Sequence, residues 1–499
     1  MMINMRTLFY LLLLGLPTVL LAQLPDGYKL GQSEPDRSGL IGNGVTDLLY
    51  ANGTIYAGTG FGLSVSNDEG LTWQNLNSDD YGGQGGVSAI YVSEDNTLWI
   101  ATAYDTLVED DQSLSIGGGL RYREAGSSEW VFIPQPIDAV TDTIGGQKPT
   151  TTRVQNVTFD IAVRGTDEVW ITSFGGGVRR SQDRGQTWDV ITTDGKPFSA
   201  LDELNHRGFA ATVDTSGNVW IGTVDGVSKS TDGGENWERY RHDNQSQAIS
   251  ADWIIGLWHN DYDNSIWATS IRSVDTTETN GVSRTKNGGL TWDTYLTDEL
   301  SDGTFARYVS FYDSALYVAT EKGVYKSIDD GTTWFLFPQI TDNISGESIF
   351  TTTFYSVATS PATSPNHRLW VGSLDGMAST SNNGFDWTVF RGFVSTRDEA
   401  SPSVYAYPNP YSPQISDRPL RFQFDVEAAG NVTIGIYNFA MERVVELQSS
   451  QGAPSEGSFD RSMVWDGNDS NGRPVDNGVY FFRAQVGSEV NWGKIMIVN

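Results

Sequence analysis

Cysteine is absent from the 499 residues. That excludes disulfides, thiolate metal sites, cysteine nucleophiles and a lipidated N-terminal cysteine. Basic residues are scarce: 32 Lys and Arg against 62 Asp and Glu leave a formal net charge of -30. A nucleic-acid ligand is excluded with them, because phosphate contacts need clustered Lys and Arg. Docking onto an anionic membrane is disfavoured for the same reason. Histidine is almost missing, and His206, His242, His259 and His367 show no ligand spacing. No metal and no cofactor is expected. HExxH, P-loop and Ser-His-Asp elbow patterns are absent as well. What is present is 38% hydrophobic and 12% aromatic residues, enough for packed cores. The 54 Gly, 16 Trp and 21 Tyr suit many short strands and tight turns.

The only long apolar run lies at the start, where Arg6 precedes Leu8 to Leu21 and Leu20-Leu21-Ala22 offers a small-residue cleavage site. Such a run is short for a membrane span and reads as a secretory signal peptide over residues 1–22. An exported mature chain without a transmembrane segment is expected.

One pattern, Ser/Thr-x-Asp/Asn-x-Gly-x-x-Trp, then recurs. Its copies begin at Ser66, Ser181, Ser230, Thr285, Ser327 and Thr380, with a degenerate copy ending at Trp130. The acidic or amide positions are Asp68, Asp183, Asp232, Asn287, Asp329 and Asn382. The tryptophans are spaced by roughly 40–60 residues, the repeat length of a four-stranded propeller blade. Each copy follows an alternating strand such as Leu98-Trp-Ile-Ala-Thr102 or Val219-Trp-Ile-Gly-Thr223. The expected fold is all-β: a seven-bladed β-propeller over 40–394, a polar linker over 395–403 and an immunoglobulin-like β-sandwich over 404–499. In the repeated turn the Asp or Asn caps its own backbone, Gly permits positive φ, and Trp plugs the gap between sheets.

The turn resembles the Asp-box, or BNR repeat, of sialidases, certain endoglucanases, sortilin-type receptors and photosystem assembly factors of the Ycf48 kind. The resemblance implies a propeller and leaves function open. The C-terminal segment opens with Tyr407-Pro-Asn-Pro410, contains Trp465-Asp-Gly-Asn-Asp-Ser-Asn-Gly472 and Gly478-Val-Tyr-Phe-Phe482, and closes with Gly493-Lys-Ile-Met-Ile-Val498. It resembles the FlgD-type Ig-like domain and the sorting domains of type IX secretion in Bacteroidota-like bacteria. That likeness implies secretion machinery as a partner and a secreted or outer-membrane surface location. The Asp466–Gly472 cluster departs from an EF-hand and reads as a hairpin turn.

Strand order puts the repeated turns on one face of the ring and the long insertions, such as those following Tyr104 and Arg272, on the other. Residues entering the first strand of each repeat are expected to converge at the channel mouth. They are Arg153, His206, Arg207, Asp252, Trp253, Arg307 and Tyr308. Arg, His, Asp and Trp there suit an anionic or sugar-like ligand through forked hydrogen bonds and stacking. The alternative reading is that they merely fill and pair across the mouth. A three-arginine clamp of Arg153, Arg207 and Arg307 lacks both the sialidase Phe/Tyr-Arg-Ile-Pro motif and a Tyr–Glu nucleophile pair. Asp105, Glu109, Asp110, Asp111, Asp202, Glu203 and Asp252 are carboxylates from which a glycosidase pair can be drawn. No catalytic residue is assigned. The expected function is non-catalytic binding of an extracellular glycan or protein. A glycoside hydrolase and an assembly factor for another protein complex stay open as alternatives.

Overall fold

The computed structural model describes residues 38–107, 113–138, 151–152, 154–273, 277–362, 367–394, 403–414, 418–451 and 460–499. The expected leader over 1–22, Arg153, Glu109 to Asp111 and nearly all of the linker lie outside them.

Among the described residues, seven four-stranded antiparallel sheets follow one another between Val45 and Phe390, each built from consecutive strands. Their first strands are Val45–Ala51, Gly86–Val92, Thr158–Arg164, Gly208–Val213, Trp253–Asn260, Ala306–Tyr312 and Phe354–Pro361. Each lies against the first strand of the next sheet, and the seventh returns to the first. The sheets therefore form a closed ring in which the inner edges of the first strands are short and shielded by one another.

Aromatic side chains fill the gaps between sheets. Trp99, Trp170, Trp220, Trp267 and Trp370 occupy one register of the second strands and are fully buried. The Trp of a repeated turn packs on the preceding sheet. Trp237 meets Trp170 edge-on at 5.9 Å, Trp292 meets Trp220 at 6.5 Å, and Trp73 meets Phe390 of the seventh sheet at 5.8 Å. Truncating any of these indoles would leave a cavity in a tightly packed wall.

The turns repeat one hydrogen-bond scheme. In the first, Ser66 Oγ donates to Asp68 Oδ1 at 2.8 Å and accepts from Gly70 N at 2.9 Å, while Thr72 N donates to Asp68 Oδ1 at 2.9 Å. Asp183, Asp232, Asn287, Asp329 and Asn382 accept the equivalent main-chain bond in theirs. Gly70 has φ +86°, and a Cβ there would lie 2.7 Å from the Phe390 ring. These bonds favour the charged form of the acid; Asp232, bonded by the Asn236 side chain and amide, is held down at about 2.

Among the described residues each four-stranded sheet of the ring comes from one contiguous stretch of chain. Closure is a splice: Ser38–Gly39 pairs antiparallel with Gly392–Phe393. Asn43, 3% exposed, locks it. Its amide donates to Gly392 O at 3.0 Å, its Oδ1 accepts from Gly392 N at 2.8 Å, and its carbonyl accepts from Gly376 N at 2.8 Å.

The C-terminal module packs a three-stranded sheet (Val404–Tyr407, Leu420–Asp425, Asp460–Trp465) on a four-stranded one (Gly430–Tyr437, Arg443–Gln451, Gly478–Val486, Glu489–Ile497). Leu420, Phe422, Phe424, Ile434, Ile436, Trp465 and Phe482 form its core. Within its Trp465–Gly472 turn, Asp466 and Asp469 accept main-chain amides, but the expected hairpin between paired strands is not formed. Asp460–Trp465 lies in the three-stranded sheet and Gly478–Val486 in the four-stranded one, so the turn crosses between sheets with only a local bridge of Asn468 and Pro474. The module is fixed to the ring through Arg421, which is 2% exposed. Its guanidinium pairs with Asp375 at 2.9 Å and Glu347 at 3.1 Å, and donates to Ser348 O at 3.1 Å. Arg391 joins the same carboxylates at 3.2 and 2.8 Å, and Ser462 Oγ donates to Glu347 at 2.7 Å. Burial opposes the charge on Asp375, but Arg391 and Arg421 outweigh it and hold the carboxyl below its usual range.

Candidate functional site

Every first strand carries a β-bulge near its start, where the ladder to the second strand slips by one residue. A bulge re-aims one side chain out of the sheet's alternation. The extra residues are Thr46, Ser88, Phe159, Phe209, Ile255, Arg307 and Tyr355. All of them line a single cavity of about 400 Å³. Because first strands start, and second strands end, at this side of the ring, the cavity is the channel mouth; the Trp-bearing turns lie at the strands' other end. The strand after the second sheet's insertion contributes Ser113, Leu114 and Ser115 to its wall.

Aromatic rings dominate that wall. Phe159 stacks on Phe209 at 5.0 Å, Phe209 meets Trp253 at 6.1 Å, and Trp258 lies 4.8 Å from Tyr308. Arg307 is the one cationic side chain among the described lining residues. Its guanidinium is sandwiched between Phe305 at 4.6 Å and Tyr355 at 4.5 Å, and donates to Glu321 at 2.6 Å.

Two carboxylates line the cavity, each one residue past its bulge. Asp47 accepts from Ile90 N at 2.9 Å and Asp160 from Ala211 N at 3.0 Å, so each bridges to the first strand of the following sheet. Neither forms an ion pair among the described residues. Burial pushes Asp47 up to about 6, against the lowering effect of the Ile90 amide and the Tyr308 hydroxyl. Burial pushes Asp160 further, to about 8, with the charge of Asp47 adding to the rise. Chemically, the mouth offers ring faces for stacking, one neutralised guanidinium and two carboxylates with no cation beside them among the described residues.

The residues expected from sequence divide between the mouth and its surroundings. Trp253, Arg307 and Tyr308 line the cavity. His206 and Arg207 are buried outside it. His206 stacks on Phe198 at 5.7 Å and sits 3.1 Å from Asp194, and its Nδ1 accepts from Ser199 N at 3.0 Å. Arg207 donates to Ala200 O at 2.6 Å and lies 5.2 Å behind the Phe174 ring, a wall residue; burial lowers it to about 10. Asp252 accepts from His242 N at 2.6 Å and pairs with Arg241 at 3.1 Å, away from the cavity. Asp47, Asp160, Trp258 and the Phe159–Phe209 pair were not expected. Their only sequence signal is the break in alternation at each bulge, as in Phe159-Asp160-Ile161. Among the described residues no group of three or more His, Cys, Asp or Glu is placed to hold a metal ion. No helix there is long and apolar enough to cross a membrane.

Residues 412–489 match the FlgD Ig-like domain family. The C-terminal module carries a FlgD Ig-like domain. No curated protein matches the sequence. Among solved structures, a GH74 enzyme of Niastella koreensis is similar over 93% of this chain and 74% of its own, with 13% identity and a TM-score of 0.51. PorZ of Porphyromonas gingivalis, an essential bacterial surface component of the type-IX secretion system, aligns over 90% of this chain with 13% identity and a TM-score of 0.39. The chain spans 64% of PorZ. YCF48 from Cyanidioschyzon merolae aligns over 69% of this chain and 97% of its own, with 16% identity and a TM-score of 0.43. At such identity the likeness to the GH74 enzyme establishes a propeller-like fold and nothing about activity. The FlgD Ig-like domain thus follows a ring of propeller type.

Proposed function

We propose that this is an exported ring of Asp-box blades whose channel mouth binds a glycan or a protein without turning it over, at the cell surface or in the medium. In this reading the FlgD Ig-like domain serves type IX export and anchoring, on the strength of its opening and closing motifs. The observation that carries the binding reading is the convergence of one bulge residue from every sheet on a single aromatic-walled cavity. Such walls grip sugar rings or side chains by stacking, with a few polar groups setting orientation. Replacing Trp253 by Ala weakens binding of an array-identified ligand about tenfold by calorimetry. Unchanged affinity would remove the mouth as the site.

A second reading, glycoside hydrolysis, is favoured by one feature. Asp47 and Asp160 share the cavity with their pKa values pushed to different heights, about 6 and about 8, as a base and an acid require. Reducing ends released from a soluble polysaccharide by the native protein, and lost in Asp160→Asn, support hydrolysis. Binding without release supports the first reading.

A further inference from the structure

The cavity's charge is unbalanced. Its guanidinium, Arg307, is already neutralised by Glu321, whereas Asp47 and Asp160 hold main-chain amides but no cation among the described residues. Both carboxylates occupy the same register, one residue past the bulge in the first and third sheets. The rings of Phe159, Phe209, Trp258 and Tyr308 line the same cavity. Negative ring faces beside carboxylates make an environment that attracts an organic cation and desolvates an apolar stem. The chain's net charge of -30 adds a long-range field of the same preference.

We propose that the channel mouth takes an ammonium group carried on an apolar stem, the lysine side chain of a protein partner, with the cation against Asp47 and Asp160 and the stem against the aromatic wall. The proposal rests on the mouth being a binding site and names the chemistry of its occupant. A bound ammonium favours ionised carboxylates, so occupancy releases protons and tightens as pH rises through the range in which Asp47 and Asp160 titrate. The other groups facing the two carboxylates are Tyr308 and Tyr91, whose phenols burial keeps protonated.

The test uses the full-length protein and calorimetry at pH 6 and pH 8.5. Its probes are Nα-acetyl-lysine methylamide, its neutral norleucine counterpart, glucose and glucosamine. The lysine amide is expected to bind at least about tenfold more tightly than the norleucine amide at pH 8.5, with a smaller advantage at pH 6. The advantage is expected to vanish in Asp47→Asn and Asp160→Asn, both checked for a cooperative unfolding transition and a native circular-dichroism spectrum. Equal binding of norleucine, or an advantage that survives both substitutions, overturns the proposal. Preference for glucosamine over the lysine amide overturns the assignment to a protein side chain. A neutral glycan whose binding needs Trp253 but shows no ammonium preference overturns this inference and leaves the mouth a binding site. An array-wide failure to find any occupant overturns both.

Discussion

Truncating Arg421 to alanine is expected to cost the full-length protein about 3–5 kcal/mol, because it strands the buried carboxylate of Asp375 and takes one of two guanidinium partners from the part-exposed Glu347. Asp375 is 3% exposed and takes Arg421 at 2.9 Å and Arg391 at 3.2 Å. Losing one guanidinium leaves two carboxylates, Asp375 and Glu347, sharing Arg391 alone. Lysine is a poor substitute, since an ammonium cannot reach Asp375, Glu347 and the Ser348 carbonyl with one planar fork. Neutralising the site as a whole, with Arg421→Met, Arg391→Met, Asp375→Asn and Glu347→Gln together, should recover much of the loss. Denaturant unfolding followed by tryptophan fluorescence measures each variant. A cost below about 1 kcal/mol for Arg421→Ala would place the cluster with ordinary solvent-exposed pairs.

Asp160→Asn is expected to stabilise the ring at alkaline pH and to leave it nearly unchanged in acid. The folded-state pKa of about 8 lies far above the unfolded value of about 3.9. A group raised on folding contributes stability that is complete below its unfolded pKa and is lost as pH rises through its folded one. Its contribution is therefore whole below about pH 4 and gone above about pH 8. Asparagine keeps an oxygen for the Ala211 amide and never ionises, so the variant escapes that loss. The gain above pH 8 is on the order of a few kcal/mol, shared with Asp47, whose smaller rise to about 6 closes its own window earlier. Thermal melts at pH 5 and pH 9 decide it. An equal loss of stability at both values would mean that the carboxylate acts only as a hydrogen-bond acceptor.

Much of the architecture was legible in the chain. The recurring Trp turns and the second strands mark the repeats, because a positive-φ glycine is a local requirement and the second strands, buried on both faces rather than in alternation, read as short apolar runs. The splice at Asn43 was not, since nothing near Leu40-Ile-Gly-Asn43 shows that it will meet Gly392 across the whole ring. The mouth was half legible. Trp253, Arg307 and Tyr308 fall where strand order placed them, but each bulge shifts the phase by one residue and so hid Asp47, Asp160 and Trp258. Arg421 was concealed differently. In Leu420-Arg-Phe-Gln-Phe424 it occupies the outward half of a plain alternation, and only the neighbouring ring turns outward into buried.

The splice and the C-terminal dock use the same short stretches of chain. Asn43 bonds Gly376 and Gly392, and the residues immediately before them are Asp375 and Arg391, the groups that receive Arg421. The seam and the dock therefore share one anchorage, and Asn43→Ala, by removing the side-chain bonds that hold the chain at Gly392, is expected to weaken the seat of Arg421 together with the closure of the ring.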